Sequence, residues 1–423
     1  MDLISMAKSA RAAARRMAGA TSEEKSAILV DLAERLTNQN AAILSANRGD
    51  SEQARQNGLS EAMLDRLMLD QARLQGMADD LRNVARLPDP IGEIFEAQSL
   101  PNGLKVTKQR VPLGVLAVIY EARPNVTVDI AGLAIKTGNA AILRGGSETL
   151  HSNQVLVTII QQTLADGGLP GETIQFIDDP DRARLLELMQ LHEWIDMLIP
   201  RGGAALHQFC RENSRIPVIT GGIGICHLYV DASADLAAAV QVIENAKVQR
   251  PTVCNALDTV LVHRAVAASF LPQMVTQLTA SKVSFRADAS AWDYLLDNQG
   301  RLISAEILPA GPQDFDSEWL SLVLGIKVVD NLEEAIEHIA QHSTGHSDGI
   351  LTGDRSNARR FVAAVDSAAV YVNASTRFTD GGQLGLGAEA AISTQRLHAR
   401  GPLGLRELTT YKWVIEGNYH TRP

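Results

Sequence analysis

The first 95 residues carry apolar positions at helical spacing, which predicts a run of helices. Thr21-Ser22-Glu23-Glu24 has the form of a capping box, in which a threonine side chain and a glutamate three residues later close the start of a helix. An apolar stripe with one helical face follows at Ile28, Leu29, Leu32 and Leu36. This part of the chain offers structure and little chemistry.

Short apolar runs then alternate with helix-length segments from about residue 100 to residue 224. The strand candidates are Val115–Tyr120, Ala140–Leu143, Thr173–Ile177, Met197–Ile199 and Pro217–Thr220. Four helices fit between them. The alternation predicts a doubly wound parallel sheet of five strands.

A second alternating set begins at Ile225–Val230 and ends at Val370–Val372. Its other strand candidates are Thr259–His263, Ile326–Val329 and Ile350–Thr352, and its helix candidates are Leu236–Ala246, Leu332–Ala340 and Asn357–Val365. The fold class is therefore α/β, with two doubly wound domains that join near residues 221–224.

Two strand candidates have no partner nearby in the sequence. Leu104–Arg110 (LKVTKQR) alternates polar and apolar residues like an exposed strand, and Tyr411–Ile415 (YKWVI) lies close to the C-terminus. A lone strand pairs with a distant segment, and another subunit is one candidate.

Composition and charge exclude several classes of function. The 423 residues include 39 Lys and Arg against 49 Asp and Glu, a formal charge of −10, which argues against nucleic-acid binding. No apolar run reaches the ~20 residues that span a bilayer. The basic, Ala-rich N-terminus lacks the apolar segment of a secretory signal, so we expect an amphipathic first helix and a cytoplasmic protein.

The three cysteines have different surroundings. They show no CxxC spacing, which argues against disulfides and zinc. Cys210 falls in a predicted helix and is expected to pack, while Cys226 and His227 are neighbours on a strand and so point to opposite faces. Cys254 lies in a polar loop near Arg250, with a helix start as a second candidate neighbour, and both features would lower its pKa. Local context alone leaves catalysis and packing open for Cys254.

One glycine-rich segment is a candidate phosphate site. Pro200-Arg201-Gly202-Gly203 ends a predicted strand and begins a helix, so glycines would let a pyrophosphate approach the helix N–H groups. An ordinary turn is the alternative. Gly385-Leu386-Gly387-Ala388-Glu389-Ala390 fits a dinucleotide motif but follows no clear strand, and His342 and His346 flank a loop, so we predict no dinucleotide site at the first and no metal at the second.

Three segments carry a family resemblance. They are Tyr120–Asn125 (YEARPN), Gln249–Ala256 (QRPTVCNA) and His398–Tyr411 (HARGPLGLRELTTY). With them the chain resembles, over essentially its whole length, the glutamate-5-semialdehyde dehydrogenases, also called gamma-glutamyl phosphate reductases, of the aldehyde dehydrogenase superfamily.

The resemblance implies an aldehyde dehydrogenase-like fold: two doubly wound parallel-sheet domains and a small β oligomerisation element. It divides the chain into an NADP-binding domain (1–99 and 124–224), a catalytic domain (225–395) and an oligomerisation hairpin with a C-terminal strand (100–123 and 396–423). The two lone strands take the oligomerisation roles.

The resemblance also implies a reaction, the NADPH-dependent reduction of L-glutamate 5-phosphate to L-glutamate 5-semialdehyde and phosphate in proline biosynthesis. Cys254 matches the superfamily nucleophile and would form a thioester. Asn125 matches the asparagine that stabilises the oxyanion together with the Cys254 backbone N–H. Ile219 stands where hydrolytic members carry a glutamate base in the segment 219–222, which favours reduction over hydrolysis.

For the cofactor, the superfamily lysine and acidic residue after the second strand are replaced here by Arg144 and Ser147. This change favours the 2′-phosphate of NADP(H), although Glu148 follows directly. Arg201, Gly202 and Gly203 would hold the pyrophosphate. Glu318 matches the glutamate that binds the nicotinamide ribose. No metal is implied.

For the substrate, Arg123, Arg250 and Arg377 are candidates for its anionic groups and Glu121 for its ammonium group; surface ion pairs are the alternative for the arginines. The resemblance implies a homo-oligomer, either a dimer or a tetramer. It also suggests glutamate 5-kinase as a possible partner protein. Two other functions remain open: another semialdehyde dehydrogenase of the superfamily, hydrolytic ones included, and a binding protein without catalysis.

Overall fold

The structure, a computed structural model, describes residues 2–221 and 223–422. Its helices are α1 (Leu3–Met17), α2 (Ser22–Asn38), α3 (Asn40–Gln56), α4 (Glu61–Leu67), α5 (Gln71–Arg86), α6 (Asn125–Lys136), α7 (Leu150–Asp166), α8 (Arg182–Met189), α9 (Ala204–Asn213), α10 (Leu236–Val248), α11 (Arg264–Ala280), α12 (Ala289–Trp292), α13 (Leu332–His342) and α14 (Arg355–Ala364). Among the described residues no helix is both long enough and apolar enough to cross a membrane.

The strands are short. They are β1 (Ile94–Ser99), β2 (Lys105–Pro112), β3 (Val115–Tyr120), β4 (Ala140–Arg144), β5 (Ile174–Phe176), β6 (Met197–Arg201), β7 (Cys226–Val230), β8 (Leu257–His263), β9 (Ser284–Ala287), β10 (Ile307–Pro309), β11 (Val323–Val329), β12 (Ser347–Leu351), β13 (Ala369–Val372), β14 (Ile392–Ser393), β15 (Gly401–Pro402) and β16 (Thr409–Glu416).

The described chain forms two compact units. The first comprises residues 2–221, Gly385–Ile392 and 402–422, and the second comprises residues 223–384 and Ser393–Gly401. Helix α2 begins as predicted. The Thr21 side chain accepts from the Glu24 N–H, and the Glu24 carboxylate accepts from the Thr21 N–H.

The first unit contains a parallel sheet of four strands in the order β5-β4-β3-β6. All six residues of β3 are buried, as expected for a continuous apolar run with helices on both faces. The predicted fifth strand, Pro217–Thr220, is wrong: it contributes only an isolated bridge between Leu198 and Val218. Pro217 has no N–H to extend the ladder.

A second sheet of the first unit joins the two lone strand candidates to each other. β16 pairs antiparallel with β2 from Thr409 opposite Pro112 to Glu416 opposite Lys105, and β1 covers the other edge of β2. Residues 115–120, which the predicted division placed in the oligomerisation element, lie instead in the parallel sheet as β3. The physical reason is that β3 is apolar on both faces, whereas β1 and β2 carry polar residues on one face.

The second unit is built on seven parallel strands in the order β10-β9-β11-β8-β7-β12-β13. The predicted strands near β7, β8, β11, β12 and β13 are present, and so are the predicted helices α10, α13 and α14. The pattern missed α11, β9 and β10. Helix α11 contains Pro272 and buries Phe270, Leu271, Met274 and Val275 on one face, but alanines also occupy its exposed face, so its period is indistinct.

The start of β3 depends on a glycine. Gly114 has φ +126°, and a methyl group on it would collide with the Asp196 carboxylate. That carboxylate accepts from the Val115 N–H at 2.7 Å and forms two hydrogen bonds with the Arg11 guanidinium at 2.7 and 3.0 Å. The glycine therefore lets a partly buried ion pair hold the start of β3.

We expect Gly114→Ala to lower the free energy of unfolding by about 3 kcal/mol, because it combines backbone strain with displacement of Asp196. Gly58→Ala is the matched control: Gly58 also has positive φ (+78°), but its surroundings are open. Its cost should be about 1 kcal/mol. Urea unfolding of both variants measures the difference, and equal losses would contradict the role of Asp196.

Candidate active site

Cys254 lies in the turn between α10 and β8, with its side chain half-buried and in no disulfide. The following element is a strand, so the candidate helix start near this thiol was wrong and a helix dipole does not act on it from that side. Cys210 is buried in α9 and Cys226 is buried in β7, as predicted for packing residues. Cys254 is thus the most accessible of the three thiols.

The backbone of Cys254 is held by close contact with Cys226, the first residue of β7, and with Gly224 just before that strand. The Cys226 thiol donates to the Cys254 carbonyl oxygen at 3.3 Å. Burial raises the pKa of the Cys226 thiol well above its ordinary value, so it stays a neutral S–H donor. Gly224 is packed so tightly that a Cβ on it would collide with the same carbonyl group. Glycine is required there because two backbones meet.

Glu318 also holds Gly224 in place. Its carboxylate accepts from the Gly224 N–H at 2.9 Å. The next residue, Trp319, donates its N–H to Asp258 at 3.2 Å, and the other oxygen of Asp258 accepts from the Cys226 N–H at 3.3 Å. The residue predicted to bind the nicotinamide ribose therefore also supports the backbone against which the nucleophile rests.

Lys247 and Asp258 form a buried pair behind this loop, with 3.7 Å between the ammonium nitrogen and the carboxylate. The Lys247 ammonium also donates to the Leu257 carbonyl at 2.8 Å. Burial raises the pKa of Asp258 to about 6, and the positive charge of Lys247 opposes that shift. Sequence reasoning missed both residues; the only local signal was the charge of Asp258 inside the mostly apolar strand β8.

Asn255 connects the nucleophile loop to the segment 376–379. Its amide donates to the Thr379 carbonyl at 2.9 Å and to the Arg377 carbonyl at 3.3 Å. The Thr376 hydroxyl donates to the Asn255 carbonyl at 2.7 Å. Sequence reasoning did not single out Asn255 or Thr376, because a hydrogen bond between residues more than 120 positions apart leaves no local pattern.

This connection places Arg377 beside the nucleophile loop. Its guanidinium donates to the Asn255 side-chain oxygen and to Gln249 Oε1, the latter at 3.0 Å. Burial lowers the pKa of Arg377, and the like charge of Arg250 acts in the same direction, whereas Asp380 and Cys254 oppose it. Arg250, Arg377 and Cys254 are therefore electrostatic neighbours. Such positive charge favours a thiolate and attracts an anion.

In the first unit, Asn125 is the first residue of α6, directly after the turn that carries Glu121 and Arg123. That turn is strained, since Ala122 has φ +31°. The Ala122 N–H donates to Glu148 Oε1 at 2.8 Å. Glu148, the acid that weighed against NADP in the sequence, therefore points its carboxylate at this turn.

Arg144 ends β4, and Ser147 begins a short 3₁₀ turn after Gly145 and Gly146. The Arg144 guanidinium donates to the Pro180 carbonyl at 2.8 Å, while its buried Nε has no hydrogen-bond partner among the described residues. A Cβ on Gly145 would collide with the Asn153 amide. Glycines here let the backbone approach closely, and an unpartnered guanidinium N–H suits a phosphate; both fit a nucleotide cofactor.

The segment Arg201-Gly202-Gly203 links β6 to α9 as predicted. The Glu121 carboxylate accepts from the Gly203 N–H at 3.2 Å, and a Cβ on Gly202 would meet that carboxylate at 2.6 Å. Glu121, the candidate for the substrate ammonium group, thus contacts the amide predicted to bind pyrophosphate. The Glu121 carboxylate and a bound pyrophosphate would therefore compete for the Gly203 N–H.

Ile219 is buried, and its N–H donates to the Leu198 carbonyl at 3.0 Å. An apolar side chain therefore stands where a hydrolytic member would carry its base. The last residue of this predicted segment, Gly222, lies outside the described residues.

We expect Gly224→Ala to displace the Cys254 carbonyl and move the thiol away from Arg250 and Arg377. Alkylation of Cys254 by iodoacetamide should then slow about 10-fold near neutral pH, because nearby positive charge favours the reactive thiolate. Peptide mass spectrometry locates the modified cysteine and measures its rate. Gly76→Ala, at a position with open surroundings in α5, should leave the rate unchanged; an unaffected rate in Gly224→Ala would contradict the predicted contact.

Comparison with known proteins identifies the family of the chain. A sequence profile of the aldehyde dehydrogenase family matches residues 1–292. The chain is 55% identical over 419 residues to a gamma-glutamyl phosphate reductase of Aeromonas salmonicida, covering 99% of both chains, and 54% identical over 422 residues to one of Vibrio vulnificus strain YJ016, covering 100% of both.

The crystal structure of the gamma-glutamyl phosphate reductase of Thermotoga maritima has the same fold. It superposes with a TM-score of 0.95 at 46% identity, covering 100% of each chain. With its parallel sheets and the cysteine loop before β8, the chain belongs to the aldehyde dehydrogenase family and, within it, to the gamma-glutamyl phosphate reductases.

Proposed function

We propose that the chain reduces L-glutamate 5-phosphate with NADPH to L-glutamate 5-semialdehyde and phosphate, the second step of proline biosynthesis from glutamate. The observation that carries this proposal is full-length identity of 54–55% to gamma-glutamyl phosphate reductases. The arrangement of Cys254 beside two arginines supports it, because an acyl phosphate needs both a nucleophile and cations.

In the proposed reaction the Cys254 thiolate attacks the acyl carbon and the C–O bond to phosphate breaks, giving a thioester and a phosphate ion. Arg250 and Arg377 favour the thiolate and bind anionic groups of the substrate, with Arg123 as a third candidate. NADPH, when bound, supplies the hydride that reduces the thioester carbonyl. The Cys254 sulfur then leaves as thiolate, and the aldehyde is released and cyclises without the enzyme.

Each tetrahedral state in this sequence carries an oxyanion. The Asn125 side-chain N–H and the Cys254 backbone N–H are the proposed donors to it. Loss of one such donor costs about 3 kcal/mol, or at least 100-fold in rate. Contacts on both sides of the Cys254 side chain support the backbone donor. Gly224 and Cys226 hold the Cys254 carbonyl, and the Ala256 N–H donates to the Val253 carbonyl, in the peptide group that carries the Cys254 N–H, at 3.0 Å.

Ile219 favours reduction over the alternative, a hydrolytic aldehyde dehydrogenase or another semialdehyde dehydrogenase of the superfamily. A hydrolytic enzyme needs a base to activate water, and an isoleucine cannot abstract a proton. A binding protein without catalysis has no use for a half-buried thiol beside two arginines.

For the cofactor we propose NADP(H). Members of the family use nicotinamide cofactors. Arg144 would bind the 2′-phosphate with its unpartnered Nε and Ser147 would donate to it, while Glu148 is engaged with the Ala122 N–H. Arg201, Gly202 and Gly203 would hold the pyrophosphate and Glu318 the nicotinamide ribose. Glu121 remains the candidate for the substrate ammonium group.

For assembly and location we propose a cytoplasmic homo-oligomer, a dimer or tetramer, which could associate with glutamate 5-kinase. The outer sheet of the first unit supports self-association, since Trp413 and Ile415 on β16 are 53% and 62% exposed. Three free cysteines are consistent with a reducing compartment.

The reverse reaction tests the proposed chemistry. With glutamate semialdehyde, phosphate and NADP, we expect NADPH formation that requires phosphate and is abolished in Cys254→Ala. Cys210→Ala, which removes a buried thiol of α9, should retain the activity. NADPH absorbance measures both. Activity that persists in Cys254→Ala would refute the thioester route, and oxidation without phosphate would favour the hydrolytic alternative.

The cofactor assignment has its own test. We expect kcat/KM for NADP to exceed that for NAD, and Arg144→Gln to reduce this ratio about 10-fold or more because a charged contact to the 2′-phosphate is lost. The KM for glutamate semialdehyde should not change, which serves as the internal control. Equal kcat/KM values for the two cofactors in the unsubstituted enzyme would contradict the assignment.

A further inference from the structure

Asp129 lies one helical turn after Asn125 on α6 and contacts its side chain. The Asn125 amide nitrogen donates to Asp129 Oδ2 at 3.0 Å. Residues four apart in a helix share a face, so the contact is built into the helix and does not depend on a loop. It is the hydrogen bond that orients the group proposed above to hold the oxyanion.

We infer that Asp129 is a positioning residue for the oxyanion donor Asn125, which it holds with the amide N–H₂ directed as the reaction needs. This inference rests on the proposed function of Asn125. The proposed mechanism makes no other use of Asp129.

A side-chain amide can present either its oxygen or its nitrogen in a given direction. If the amide of Asn125 were flipped, an oxygen would replace the donor and repel an oxyanion. A carboxylate oxygen accepts and cannot satisfy an amide oxygen, so Asp129 selects one of the two orientations. One N–H is then used by Asp129, and the second N–H of the same NH₂ group remains for the substrate oxygen.

A second negative charge close to the oxyanion would oppose catalysis, and the surroundings of Asp129 limit that cost. Burial raises the pKa of Asp129 to about 7; Asp80 acts in the same direction, whereas Arg201 and the hydrogen bond from Asn125 oppose the shift. Near neutral pH about half of the population is therefore uncharged. In the neutral form the carbonyl oxygen of the acid still accepts from Asn125, but the acid O–H can also donate to a flipped amide, so the ionised form is the one that selects the orientation.

A structural role is the competing explanation, since the positive charge of Arg201 also favours the ionised form of Asp129. That role depends on the charge of Asp129 and would appear as stability. Positioning depends on an acceptor at one place and would appear in kcat. The two explanations therefore predict different results for Asp129→Asn, which removes the charge and keeps an acceptor oxygen.

A double-mutant cycle in the reverse reaction tests the inference. We expect Asp129→Ala to lower kcat about 10-fold or more, a part of the effect of losing one oxyanion donor, with KM for semialdehyde and NADP within about 2-fold. Asp129→Asn should recover part of kcat, because its amide oxygen can accept from Asn125 while its NH₂ group can also donate to a flipped Asn125 amide. In the Asn125→Ala background, Asp129→Ala should lower kcat by less than about 2-fold, because its effect acts through Asn125.

Asp166→Ala, which removes an exposed partner of Arg35 in the same unit, is the matched control and should keep kcat. Thermal unfolding shows whether each variant is folded; if Asp129→Ala is not, the comparison of Asp129→Asn and Asp129→Leu in both backgrounds replaces it. Unchanged kcat, independent losses in the double variant, or an Asp129→Asn enzyme as slow as Asp129→Ala would overturn the inference. A failure of the proposed function would look different, since the unsubstituted enzyme would then show no phosphate-dependent NADPH formation.

Discussion

The close approach of two backbones at Gly224 and Cys254 is the constraint on which the nucleophile depends. A turn between a helix and a strand would leave a thiol mobile, because few backbone groups in it are paired. Here the Cys254 carbonyl accepts the Cys226 thiol and rests against a residue without a side chain. Each contact holds the peptide group through its carbonyl, and the Cys254 side chain remains half-buried.

The charged residues around this loop differ in how deeply they are buried, and their contacts differ accordingly. Lys247 and Asp258 are almost fully buried and use their hydrogen bonds on backbone groups, so they fix geometry. Arg377 is half-buried and anchored at Asn255 and Gln249, and Arg250 is exposed. A pair of like charges is costly unless an anion compensates it. The arrangement therefore suits a substrate that carries phosphate and carboxylate groups.

In the first unit, uncharged polar side chains hold the backbone by hydrogen bonds, as Lys247 and Asp258 do in the second unit. A buried series of hydrogen bonds runs from the Tyr120 and Thr127 hydroxyls through the Asn153 amide to Thr149 Oγ1, which donates to the Gly146 carbonyl. This series connects strand β3 to the turn after β4. It ties the turn after Arg144, where we propose that the cofactor binds, to strand β3.

The sequence by itself determined the fold class, the two sets of alternating strands and helices, and the family, because hydrophobic periodicity and segments such as QRPTVCNA are local. It also singled out Cys254, although only the resemblance raised this residue above a packing role. The tertiary structure decided which residues support it. In the structure Pro217–Thr220 forms no strand of the sheet, and the Glu148 carboxylate accepts from the Ala122 N–H. The loop around Cys254 contacts Arg377 directly and Glu318 through Gly224. Those contacts connect residues tens to more than a hundred positions apart, and their energies depend on burial and direction, which no local pattern in a single sequence encodes.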